Sequence, residues 1–147
     1  MNNLKNLALS FTLATLMVGG AVAQNMPNMA GKEPTISAMA KADAMTTAFK
    51  GIEVNGGMVD LYNVDGKHVL RLTPDFKIPK TPAPTWQIVD GMGNTFLLKQ
   101  LKIAGDKTNR QVVLPSYIKS VAKVQIYCTF AEVVLGEAKF DQTIELN

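Results

Sequence analysis

From Phe49 onward, short apolar stretches alternate with turn signals, and no helical period recurs. The clearest alternation runs from Val121 to Thr129. Ala122, Val124, Ile126 and Cys128 fall on one face at period two, and Val121, Lys123, Gln125, Tyr127 and Thr129 on the other. Such a pattern predicts a half-buried strand with its polar side to water, and it points the chain's only cysteine inward. Earlier candidates are Phe49 to Val54, closed by the turn signal Asn55-Gly56-Gly57, then Met58 to Tyr62, Asp65-Gly66 and His68 to Leu72. In the last of these, His68, Leu70 and Leu72 share a face. Thr73 to Pro84 carries four prolines, Pro74, Pro79, Pro82 and Pro84, and reads as a connection. Thr85 to Val89, Thr95 to Ile103 and Arg110 to Leu114 follow as strands. After the Cys128 strand come Glu132 to Leu135, a turn near Gly136 and a last strand to about Leu146. About eight short strands without repeats predict an all-β chain, an antiparallel β-sandwich or partly open barrel.

The N-terminal segment has a different character. Lys5 is its one charge, Leu7 to Val18 is apolar but for Ser10, Thr12 and Thr15, and Gly19-Gly20 precede Ala21-Val22-Ala23 ahead of Gln24. Residues 1–23 read as a secretory signal peptide, and the apolar run is too short to span a bilayer. With no twin arginine before it and no cysteine after it, the general secretory route to a periplasmic or extracellular location is expected, without a lipid anchor. Residues 24–48 form a methionine-rich leader with Met26, Met29, Met39 and Met45, flexible or containing a short helix from about Thr35. Thioethers bind soft Cu(I). The irregular spacing and the lack of an accompanying histidine favour a plain leader over a copper site. Residues 49–147 are then one β domain, long enough for one core.

A formal charge of +3, one unit of it on Lys5, implies no particular partner. One cysteine in an oxidising compartment excludes an internal disulfide. Cys128 is therefore buried and inert, a ligand, or a bridge to another chain. One Cys and one His cannot supply the usual zinc or iron–sulfur ligands. Hydrolytic chemistry lacks support: Ser37, Ser116 and Ser120 have no Gly-x-Ser-x-Gly context, and a Cys128–His68 dyad would need an exposed thiol. Nothing here indicates a stand-alone enzyme.

The order HVLRLTPDF, PAPTWQIV, LLKQLKIAGDKTNRQVVLP and VAKVQIYCTFAEVVLGEAKF resembles the DM-thirteen electron-transfer domain over roughly Phe49 to Phe140. Asp75-Phe76, Leu114-Pro115, Tyr127-Cys128, Phe130 and Gly136-Glu137-Ala138 take the family's pattern positions. Ala83-Pro84-Thr85-Trp86 stands in place of a Gly-Pro-Asp-Leu type segment, and Tyr127 in place of a common tryptophan. The resemblance implies an extracytoplasmic β-sandwich that moves electrons through Cys128, as a bare thiol or as a ligand to haem. His68, the sole histidine, would be the candidate second haem ligand. A redox partner protein is implied with it.

From Lys99 to Lys123 the cations Lys99, Lys102, Lys107, Arg110, Lys119 and Lys123 face a single acid, Asp106. Such a stretch either steers an acidic partner or guards strand edges with solvated charge. Nucleic acid is not expected, because no aromatic stacking positions lie among these cations. The leading expectation is an exported redox module working through Cys128. The alternative is a non-enzymatic sandwich that binds a protein or carbohydrate around a structural cysteine.

Overall fold

The structure, a computed structural model, describes residues 33–147. The signal-peptide reading and the start of the leader, with Met26 and Met29, lie outside the described residues. Eight strands follow one another: β1 Ala44–Met45, β2 Val59–Val64, β3 Lys67–Leu72, β4 Pro84–Val89, β5 Thr95–Gln100, β6 Gln111–Val113, β7 Ser120–Cys128 and β8 Val133–Glu145. They form two four-stranded antiparallel sheets, ordered β1-β2-β3-β6 and β5-β4-β7-β8. The β-sandwich read from the alternation is thus the fold.

Between the sheets lie Phe49, Leu70, Trp86, Ile88, Leu101, Ile118, Ile126 and Leu135, all essentially inaccessible. The central strand β4 is buried at every position, and its Trp86 meets Ile126 of β7 while donating its indole N–H to the Asn109 carbonyl (2.9 Å). Asp65-Gly66 is the expected two-residue hairpin turn, with φ of 52° and 75°, and Val64 pairs with Lys67 across it.

One side of the sandwich is closed. Asp43 and Thr46 donate backbone N–H groups to β2, while Thr47 and Lys50 donate theirs to β8, so residues 43–50 tie the sheets together. On the other side β5 and β6 are both edges. Glu33 bonds Lys99 of β5 and lies within 3.5 Å of the Gln111 amide of β6.

Four local expectations differ from what is observed. Ser37 to Ala40 forms a turn, with no helix among the described residues, and β1 lies within the stretch read as leader. Phe49 to Val54 is a loop, not a strand. The Asn55 side chain bonds both the N–H and the C=O of Gly51, closing the loop locally in place of a ladder. β5 stops at Gln100, beyond which Leu101 donates to Pro84 and Asn109 to Leu101. Gly136 is no turn: β8 continues through it, Gly136 pairs with Ile126, and the register of the pair shifts beside it, where Tyr127 pairs with Val134. A Cβ on Gly136 would lie 2.6 Å from the Val54 carbonyl oxygen, so the glycine serves close approach of two backbones.

Candidate functional site

Cys128 ends β7, between Pro84 of β4 and Val133 of β8. Its side chain is 0% exposed. The thiol donates to the Pro82 carbonyl (3.2 Å) and the sulfur accepts the Ala131 N–H (3.3 Å). Both contacts come from tight backbone: Ala83 and Glu132 hold φ of 52° and 55°, left-handed values that cost an L-residue energy. Ala83 occupies the position where the resembled family has glycine. Cys128 lines neither the cavities around Pro115–Ser120 nor those beside Thr47–Lys50 and Asp43–Met45.

His68 lies elsewhere. It sits half-buried on β3 opposite Asn63, with Nε2 3.4 Å from the backbone oxygen of Asn147. It shares the rim of a cavity of about 280 Å³ with Lys119, which immediately precedes β7. At roughly 3.3 Å rise per residue, the eight steps from Ser120 to Cys128 span roughly 26 Å. The two residues singled out for an iron therefore stand at opposite ends of β7 and cannot share one. Haem does not fit the cysteine end either: the sulfur is enclosed, and both its hydrogen-bond partners are backbone groups. No group of three or more metal-ligating side chains gathers among the described residues.

The cations of the Lys99–Lys123 stretch do not form one free basic face. Lys99 bonds Glu33, Lys102 the Thr81 carbonyl, and Arg110 the carbonyls of Thr73 and Phe76. Lys123 faces Glu137 at 3.5 Å, beside Lys139 at 3.2 Å. Burial pushes the Glu137 carboxyl up, but the Gln125 amide (2.7 Å), Lys139 and Lys123 outweigh it and the net shift is downward. Lys119 instead lines cavities.

Open space concentrates at the start of β7. The connection from Pro115 to Ser120 borders three adjoining cavities, of about 280, 670 and 330 Å³. The largest lies between the Asp90–Asn94 turn, Phe96 of β5, Tyr117, and the Thr143 and Glu145 end of β8. Tyr117 is 63% exposed, with its ring centroid 6.1 Å from that of Phe96 at a 44° tilt. Asp90 braces the turn: Oδ1 accepts the N–H groups of Met92 (2.9 Å) and Asn94 (2.8 Å), and Oδ2 the Asn94 side-chain amide (2.8 Å). The Asn94 amide above all holds the Asp90 carboxyl below the usual carboxylate range, against the opposing pull of desolvation.

Tyr117 and Phe96 carried no motif. The only sequence signal was an aromatic residue in a polar connection after Pro115, which fits many loops equally well. No helix among the described residues is long and apolar enough to cross a membrane. Comparison with protein-family models, curated proteins and solved structures finds no match. The likeness to the DM-thirteen domain therefore rests on the quoted residues alone.

Proposed function

We propose that this protein is an exported, non-enzymatic β-sandwich binding module for a protein or carbohydrate, in which Cys128 is structural. The observation that carries the reading is the enclosed thiol, donating to one backbone carbonyl and accepting one backbone N–H. A cysteine in these surroundings behaves as a small core residue, because reactive thiols are accessible and lie in electropositive settings. Binding modules need open, structured surface, and the three cavities around Pro115–Ser120 supply it. Export rests on the Leu7–Val18 run and Ala21-Val22-Ala23.

Maleimide labelling tests the reading. The folded chain should resist modification until denaturant unfolds it, whereas labelling at the rate of a free thiol in the folded state would overturn a structural role. A second reading keeps Cys128 as the electron-carrying residue, as the DM-thirteen resemblance implies. The Ala131 N–H favours it, being a donor of the kind that stabilises negative charge on sulfur. That reading expects rapid labelling, with redox activity lost in a folded Cys128→Ala chain.

A further inference from the structure

The largest cavity at the start of β7 combines two chemistries that a sugar ring needs together. A pyranose presents a patch of C–H bonds on its face and hydroxyl groups around its edge. The C–H bonds carry partial positive charge and stack on the electron-rich face of an aromatic ring. Tyr117 offers such a ring, well exposed yet braced by Phe96. Hydroxyls at the ring edge want acceptors and donors side by side. Thr143 and Glu145 from β8 and Lys119 before β7 line the same cavity and are exposed. Asn94 lines it too. Its side-chain nitrogen is committed to Asp90, which leaves its carbonyl oxygen as an acceptor.

The walls are set in advance of any ligand. Asp90 accepts three hydrogen bonds within its own turn, and the Gly91 N–H donates to Ser120 Oγ (3.1 Å), fastening that turn to β7. A Cβ at Gly91 would lie 2.8 Å from the Thr143 methyl, so turn and β8 are in close contact. Preorganised walls lower the ordering cost of binding. At about 670 Å³ the cavity is in the range of small-ligand sites, typically about 300–1,000 Å³.

Charge narrows the ligand. Centres of protein interfaces are depleted in Lys and Glu, yet both line this cavity, which favours a polyhydroxylated ligand over a protein. Asp90 and Glu145 oppose an anionic sugar. We infer that this cavity binds a neutral or amino pyranose oligosaccharide, which stacks on Tyr117 while Asn94, Lys119, Thr143 and Glu145 hold its hydroxyls. The inference rests on the binding-module reading and names its ligand.

The test applies the exported chain to an array of immobilised neutral, amino and acidic pyranose oligosaccharides, followed by calorimetric titration of the best one. Retention on neutral or amino glycans is expected. Tyr117→Ala should weaken binding by about tenfold or more, while Tyr117→Phe, which keeps the stacking face, should stay within about threefold. Glu145→Gln should fall between them, and all three variants should keep the wild-type circular dichroism. Retention of no glycan, retention of acidic glycans only, or equal affinity in Tyr117→Ala would each overturn the inference. Maleimide labelling of the same folded chain separates failure of this site from failure of the binding-module reading. Rapid labelling of Cys128 with glycan binding kept would sink the structural cysteine and leave the sugar site standing. No glycan bound, with Cys128 inert to maleimide, would remove the sugar site alone.

Discussion

The two ends of β7 differ in opposite ways from what residue type suggests. At the Cys128 end stands the most reactive side chain of the molecule, and the fold encloses it between Pro82 and Ala131. At the Ser120 end stand a tyrosine, a threonine and a glutamate of ordinary chemistry, and the fold leaves them around open space. Chemical potential and accessibility are separate properties. A thiol without access is packing, whereas an unreactive aromatic ring with a shaped cavity beside it is a candidate ligand surface.

Breaking the closed end should produce the largest effect. Trp86→Ala removes the largest buried side chain, opposite Ile126 and two residues from the strand position that faces Cys128. It should cost about 3–5 kcal/mol in chemical denaturation. If the closed end depends on that core, maleimide labelling of Cys128 under native conditions should rise with it. Cys128→Ala should be milder, about 1–2 kcal/mol, because a small side chain and two weak sulfur hydrogen bonds are lost. A larger loss would mean that the thiol organises the Pro82 and Ala131 backbone rather than filling space.

Ala83→Gly should move stability the other way. Ala83 holds φ of 52°, and glycine adopts that conformation without the Cβ penalty, so a gain of about 0.5–1 kcal/mol in the denaturation midpoint analysis is expected. No gain would mean that the lost Cβ contacts, or the added freedom of the unfolded chain, offset the relief.

The smallest effect should be a pH response confined to the open end. The Asp90 carboxyl is held below its usual range. Its stabilisation of the turn is therefore fully present above the ordinary carboxylate value near about 4, and is lost as pH falls through the lowered folded value. Exchange protection of the Met92 and Asn94 amides should drop as the pH falls below about 4, while that of Ala131, which donates to sulfur and not to a carboxylate, stays constant. Equal responses at both ends would erase the distinction.

Much of this was legible in the chain. Period-two alternation placed Val124, Ile126 and Cys128 inward because every second side chain of a strand faces the same way. Asp65-Gly66 announced its hairpin because few residues accept φ above zero. Val121 escaped the rule and is buried too. Where β7 steps only from Val121 to Lys123, β8 advances from Ile144 back to Lys139, and the parity resets at that irregularity. Gly136 misled for a related reason: a glycine needed for a turn and one needed for close backbone approach look identical in sequence.

The sequence by itself determined most of the strands, the all-β antiparallel class and the inward thiol, since these follow from local periodicity and turn chemistry. Tertiary structure alone decided that Cys128 is sealed by the Pro82 carbonyl and the Ala131 N–H, and that His68 stands at the far end of the strand from it. It also decided that Tyr117 meets Phe96 beside Thr143 and Glu145. The Cys128–Ala131 contact is local, but the others join residues brought together by strand order, and strand order is set by how whole sheets pack and not by any one stretch of the chain.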